Sequence, residues 1–285
     1  MDSIIVNFAP TGMVPTKKDT PYVPISAKEI IEDVKKAFQI GITSVHLHAR
    51  DVLTEKACYQ KEVFEEIILG IREFAPKLVI AVTTSGRMYS EFDKRTDVLD
   101  LTGKSKPDMG SLTLSSLNFY NRESINSPEM IKNICEKMNK NGIKPELEVF
   151  DFGMINYAKY LISKGILKEP YYVNFILGNI AGAQPNLTQI AAMLNEKPLN
   201  TVCSFGGIGK FQFLTNSLAI AIGCGARIGI EDNIWYDEQR TKLATNEDFL
   251  IRLHKIINAM EKRVCSSEEL RDMLKLKAGN GEYGV

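Results

Sequence analysis

The feature that most limits what this chain can fold into is its rhythm, because short apolar, β-branched runs alternate with amphipathic helical patterns along its whole length. Residues 3–9 form the first such run. Ser26, with Glu29 three residues on, then writes a capping box ahead of Ile30, Ile31, Val34, Ala37 and Phe38, and Gly41 ends that helix. Runs at 44–51, 78–85, 109–114, 145–151, 171–177, 201–206 and 226–232 bring the strands to eight. Helical patterns separate them at 61–74, weakly at 91–101, after Ser127-Pro128, and at 154–164, 186–196 and 211–222. Two more helices, 246–263 and 267–277, finish the chain without another strand, the second capped by Ser266 and Glu269.

Such a count within about 250 residues is the arithmetic of a (β/α)8 TIM barrel, whose strands are covered on both sides and read as near-continuous apolar runs. A doubly wound sheet would alternate too, but it opens on a glycine-rich phosphate turn, and Pro10-Thr11-Gly12 is not one. No linker or low-complexity tract divides the 285 residues. The expectation is a single barrel domain over 1–285 with an extra C-terminal helix.

Charge and composition then exclude partners. With 35 basic against 35 acidic residues there is no field to attract a phosphate backbone, so nucleic acid is not expected. No apolar run approaches the roughly 18–20 residues that span a bilayer, and residues 1–10 lack a basic leader, so a cytoplasmic protein without membrane contact is expected. Five separated cysteines without a CxxC read as reduced thiols.

In a barrel, polar residues at the C-terminal ends of strands stand in the active-site mouth, so breaks in the apolar pattern map the site. The second strand ends in His46-Leu47-His48-Ala49-Arg50; alternation puts His46, His48 and Arg50 on one face, where two imidazoles at i and i+2 can share a metal ion. His254, in a helical pattern, reads as a surface or packing residue. The eighth strand ends in Arg227-Ile228-Gly229-Ile230-Glu231-Asp232, and alternation sets Arg227 and Glu231 on one face. A metal would neutralise Glu231, completing a set of two histidines and one carboxylate. On the fifth strand Glu146 and Glu148 point the same way, into a polar pocket; Glu148 is the candidate catalytic carboxylate of the pair. Thr83, Thr84, Ser85 and Gly86 at the end of the third strand, with Ser111 and Thr113 on the fourth, supply small hydroxyls for an anionic substrate group. Gly206-Gly207-Ile208-Gly209-Lys210 is a glycine-rich turn entering a helix, and Gly207, Gly209 and Lys210 are candidate phosphate contacts, although Phe211 rules out a Walker A loop.

Taken in order, PTG near the start, VHLHAR, ELEVFDFGM, FGGIGKFQ and GARIGIEDN resemble the β-keto acid cleavage enzymes, over residues 3 to about 276. The resemblance implies a zinc-dependent barrel, usually a homotetramer, that converts a β-keto acid and acetyl-CoA into acetoacetate and a new acyl-CoA. It makes His46, His48 and Glu231 the zinc ligands, Asp232 the base and Arg227 its orienting partner. Thr84, Gly86, Ser111 and Thr113 fall where the family holds the substrate carboxylate. Val14 falls where the member acting on an amino-keto acid has a glutamate for the ammonium group, so 3-keto-5-aminohexanoate is not the expected substrate. Met13, Val14 and Pro15 point to a neutral tail, with Lys17, Lys18 or Arg87 as candidates to face a second carboxylate. The competing readings are a metal-dependent hydrolase of the amidohydrolase type, which would need further histidines, and a barrel that only binds a metal or metabolite.

Overall fold

Each apolar run becomes a strand of one closed parallel barrel in the computed structural model, which describes residues 3–285. Met1 and Asp2, the start of the segment read for a leader, lie outside the described residues. The barrel strands are β1 (Val6–Phe8), β2 (Ser44–Leu47), β3 (Val79–Val82), β4 (Met109–Thr113), β5 (Lys144–Val149), β6 (Tyr171–Leu177), β7 (Thr201–Gly207) and β8 (Gly225–Ile228). Each pairs with its neighbour in sequence, and β8 returns to β1 through Arg227 opposite Asn7. Helices α1 (Ala27–Ile40), α2 (Lys61–Phe74), α3 (Phe92–Thr96), α4 (Pro128–Asn141), α5 (Phe152–Ser163), α6 (Leu187–Glu196), α7 (Phe211–Ala221) and α8 (Asn246–Ala259) follow the strands in turn. The weak pattern at 91–101 resolves into the five-residue α3 and a 3-10 turn, Asp97–Asp100.

Alternation along the strands separates two cores. Outward side chains such as Phe8, Val45, Ile80, Leu112, Leu147, Phe175 and Phe205 pack against the helices. Inward ones at the N-terminal end, Ile5, Val79, Met109, Tyr172 and Val202, form a second apolar cluster with Leu270 and Leu274. Those leucines belong to α9 (Ser267–Leu274), the extra helix, which plugs the bottom of the barrel. Above that layer the inward positions turn polar: Asn7, Ser44, His46, Ser111, Glu146, Asn174, Ser204 and Arg227 are all buried. Polarity therefore rises toward the C-terminal rim, where a cavity of about 800 Å3 opens.

Several strands are shorter than their sequences predict, the third among them ending at Val82. The first run breaks at Ile5, because Ser3–Ile4 leaves the barrel to pair with Arg263–Val264. The second ends at Leu47, and Ala49–Arg50 turns into a small antiparallel hairpin with Ala57–Cys58. The eighth ends at Ile228: Gly229 has φ +154°, and a Cβ there would lie 2.0 Å from the Ala9 carbonyl oxygen. Only glycine permits that backbone contact. The chain then turns, with the Asp232 amide donating to the Gly229 carbonyl at 3.2 Å. Glu231 thus reaches the mouth by a turn, correcting the alternation argument that placed it there.

Candidate active site

β2 carries His46, and His48 stands just past its end. His46 is 1% and His48 4% exposed. Their Nε2 atoms are 3.3 Å apart, and His48 Nε2 lies 3.1 Å from Glu231 Oε1. One ligand atom from each of His46, His48 and Glu231 lies within 4.8 Å of the other two. A tetrahedral metal bound at about 2.0–2.1 Å sets its ligands roughly 3.3 Å apart, so the imidazole spacing suits one ion. The second oxygen of Glu231 is buried and has no hydrogen-bond partner among the described residues. A buried, orphaned carboxylate oxygen beside two imidazole nitrogens could hold a cation.

Glu146 prepares the first imidazole. Its Oε2 lies 2.6 Å from His46 Nδ1, while its Oε1 accepts from the side-chain amides of Asn7, at 3.0 Å, and Asn174. With its carboxylate held from behind, Glu146 keeps the proton of His46 on Nδ1 and turns the Nε2 lone pair toward His48 and Glu231. Burial opposes an imidazolium at His46, yet Glu146 and Glu231 outweigh it and raise its pKa to about 9. Burial also disfavours charge on Glu231, but His48 and Arg227 hold it well below the usual carboxylate range. The pocket is built to receive positive charge.

Arg227 joins the two acids of the eighth strand. Its Nη2 donates to Glu231 at 2.7 Å and its Nε to Asp232 at 3.0 Å, so one guanidinium fixes both carboxylates. Burial, with Glu231 beside it, raises Asp232 above the usual carboxylate range despite Arg227. A carboxylate so raised is a stronger base than one in water.

The remaining candidates divide. Thr113 lines the cavity and donates to Glu148 at 2.6 Å, and Glu148 lines it as well. Thr84 and Ser111 instead face each other: the Thr84 hydroxyl donates to the Ser111 carbonyl at 2.6 Å and the Ser111 hydroxyl accepts from the Thr84 amide. Gly86 packs on Arg95 and the Ile125 carbonyl, so its small size serves packing. Thr83 and Ser85, the neighbouring hydroxyls in the sequence, are the ones on the cavity wall. Val14 lines the mouth and is exposed. Gly207 is required by α7, since a Cβ there would strike the Phe211 carbonyl and the Thr215 hydroxyl. Gly209 lines the cavity, yet its amide is taken by the Asp232 carbonyl at 2.7 Å, and Lys210 is exposed beside it. His254 bonds the Gly41 carbonyl at 2.8 Å, joining α8 to the end of α1. The third histidine is therefore a packing residue, and it takes from the amidohydrolase reading the extra ligand that reading needs.

Three contributors lie outside the expected set. Asn7 and Asn174 hold Glu146, and Asn174 was visible as a polar break in the apolar run 171–177. Arg50 turns away from the metal position and donates to the Gly12, Pro15 and Glu55 carbonyls, tying down the loop that carries Val14.

Comparison with known proteins gives the family. A family-level sequence model described as beta-keto acid cleavage enzyme matches residues 3–276. The 3-keto-5-aminohexanoate cleavage enzyme of Acetoanaerobium sticklandii is 30% identical over 275 residues, 96% of this chain and 98% of that protein. The 3-oxoadipate:acetyl-CoA acetyltransferase of Cupriavidus necator is 33% identical over 239 residues, 82% of each chain. Among solved structures, the ternary complex of ObcA with a C4-CoA adduct and oxalate superposes with a TM-score of 0.75 at 17% identity, over 90% of this chain and 68% of that one, a likeness of fold.

Proposed function

The chain belongs to the β-keto acid cleavage enzyme family, and on that premise we propose that it transfers the acyl group of a β-keto acid to coenzyme A, consuming acetyl-CoA and releasing acetoacetate. The observation that carries the reading is the convergence of His46, His48 and Glu231 in front of the Glu146 carboxylate, beside the paired Arg227 and Asp232. His46, His48 and Glu231 would hold a zinc-class divalent ion, which when bound supplies Lewis-acid polarisation of the substrate ketone. Imidazole and carboxylate donors also accept manganese, iron or cobalt.

Asp232 removes the proton from the carbon between ketone and carboxylate, and Arg227 holds its oxygens in place as it does so. That carbon then adds to the acetyl thioester. Thr83 and Ser85 offer hydroxyls to the substrate carboxylate from the cavity wall, with Thr84, Ser111 and Gly86 bracing them from behind, while the Thr113 hydroxyl is committed to Glu148. Glu148, oriented by Thr113, faces the same space and can carry a proton during thiolate addition and carbon–carbon cleavage. Acetyl-CoA approaches over the rim of β7 and α7, where Ile208 and Gly209 line the cavity and Lys210 stands exposed.

Val14 itself offers no counter-ion for a substrate ammonium, and Asp19 and Glu55, carboxylates that line the same cavity, already accept from Thr16 and from the Lys17 amide. The substrate of this chain is accordingly not 3-keto-5-aminohexanoate. A homotetramer in the cytoplasm, with the barrel as one domain, completes the reading from family resemblance; no helix among the described residues is long and apolar enough to cross a membrane.

The test is metal content together with a screen of β-keto acids for acetyl-CoA-dependent acetoacetate formation. The purified protein should carry about one zinc-class ion per chain, and the His46→Ala/His48→Ala double variant should lose both ion and turnover. Full metal occupancy in that variant defeats the proposal.

A further inference from the structure

Arg87 is the one cation on the cavity wall that is neither exposed nor engaged in an ion pair or a side-chain hydrogen bond among the described residues. Its neighbours on that wall differ. Arg227 is paired with Glu231 and Asp232, Arg50 donates to three carbonyls, and Lys56, Arg122 and Arg240 are exposed. The Nε of Arg87 is buried without a partner. Lys17, an alternative candidate for a second carboxylate, is paired with Glu29 at 2.8 Å, and neither Lys17 nor Lys18 lines the cavity.

The side chain is nevertheless held in place. Its guanidinium carbon sits 3.5 Å from the centre of the Phe119 ring, stacked on the face, and its backbone amide donates to the Ser85 hydroxyl. Stacking fixes the plane of the donor fork and leaves its edge free, the geometry that accepts a carboxylate through two hydrogen bonds. Arg122 on the rim adds a second positive charge nearby. A largely desolvated guanidinium with no carboxylate in hydrogen-bonding contact is unfavourable, so the fold leaves there a donor edge that a ligand anion can take up.

We propose that Arg87 is a specificity-determining residue that binds a second, distal carboxylate, and that the substrate is therefore a dicarboxylic β-keto acid. The inference rests on the cleavage reading above. Position decides which anion is meant. Thr83 and Ser85 are available to the carboxylate beside the reacting carbon, whereas Arg87 stands beyond Ser85 against Phe119. Glu148, Glu231 and Asp232 are close enough to act on its charge, while the phosphates of coenzyme A lie a whole pantetheine arm away from the thioester that must reach those acids. The neutral surface of Met13, Val14 and Pro15 then covers the carbon chain between the two carboxylates.

The experiment compares 3-oxohexanedioate with 3-oxohexanoate, which differ only in the distal carboxylate. Metal-loaded enzyme should prefer the diacid in kcat/KM, and Arg87→Gln should lower the diacid value about 10- to 150-fold, the range for losing a hydrogen bond to a charged group, while changing the monoacid value less than about threefold. Arg87→Lys, which keeps the charge without the fork, should fall between. In parallel, quenching of Trp235, the single tryptophan and itself on the cavity wall, should report tighter binding of hexanedioate than hexanoate without acetyl-CoA, a difference abolished in Arg87→Gln. Equal treatment of the two acids by the unmutated enzyme overturns the proposal. So does an equal loss for both acids in Arg87→Gln, which would put the guanidinium on the shared carboxylate, or a rise confined to the KM for acetyl-CoA, which would put it on a phosphate. Arg87-dependent hexanedioate binding without acetyl-CoA-dependent turnover of either acid would support the subsite and sink the cleavage reading instead.

Discussion

Glu146→Gln puts the proposed metal centre to a sharp test, because the substitution keeps size and shape while reversing one hydrogen-bond role. In the folded chain Oε2 faces His46 Nδ1 at 2.6 Å, and Oε1 accepts from Asn7 and Asn174. A glutamine has one acceptor to offer. If its oxygen stays with the two asparagines, its NH2 meets His46 Nδ1, forces that nitrogen to accept, and moves the ring proton to Nε2, the nitrogen aimed at the ion. If the amide flips, its NH2 meets two amide donors, and a buried polar contact worth about 1–3 kcal/mol is lost. Residue 146 is completely buried, so no water relieves either arrangement. Loss of such an outer partner typically costs 10- to 100-fold in metal affinity, about 1.4–2.7 kcal/mol. Competitive titration with a chromogenic zinc chelator measures this directly, with the circular-dichroism spectrum and melting curve confirming the fold. An unchanged affinity would show that Glu146 does not govern the His46 tautomer, and the account of the site would have to be rebuilt.

Further tests address base, backbone and framework. Asp232→Asn should retain the ion yet lower kcat by about 10²- to 10⁴-fold, the usual contribution of a positioned base, and unchanged turnover would remove Asp232 from that role. Gly12 has φ +62° and a Cβ there would lie 2.6 Å from Glu231 Cγ, so Gly12→Ala should displace the ligand and weaken metal binding as well as costing about 1–2 kcal/mol of backbone strain; crystals with Glu231 unmoved would contradict this. Asp108 is buried, and although burial alone would raise its pKa, Arg72 and Arg271 hold it below its ordinary value. A depressed folded pKa means that its stabilisation is complete above the unfolded value of about 3.9 and is lost as pH falls through the lower, folded one. Asp108→Asn should therefore destabilise by about 3–5 kcal/mol in urea at neutral pH, with the gap from the unmutated protein narrowing only below about pH 4; a gap that narrows between pH 7 and 5 would refute the assignment.

Much of this site follows from period and polarity alone. Strand order, helix placement and the shared face of His46 and His48 depend on local alternation, a property of a few consecutive residues, whereas the pairing of Arg227 with the acids at 231–232 needs the turn at Gly229. Caps behaved likewise: Ser26, Ser127 and Ser266 each accept from the amide three residues on, as their neighbours in sequence imply. The helix expected at 267–277 had no assigned role until the fold showed Leu270 and Leu274 sealing the bottom of the barrel.

Other assignments needed the closed barrel, since they join residues that no sequence window contains. Glu146 and Glu148 carry the same alternation signal, and only the ring of strands sets the first behind His46, 100 positions away, and the second beside Thr113 in the open cavity. Choosing among Thr83, Thr84, Ser85 and Gly86 required the loop geometry after β3, where the chain leaves the two-residue period that makes sequence reading possible. The ending of β8 belongs to the same class, because the contact between Gly229 and Ala9 exists only once the last strand meets the first. Local periodicity thus determines which residues can face a common axis; the closure of the sheet decides which of them meet, since distance across a barrel is independent of separation along the chain.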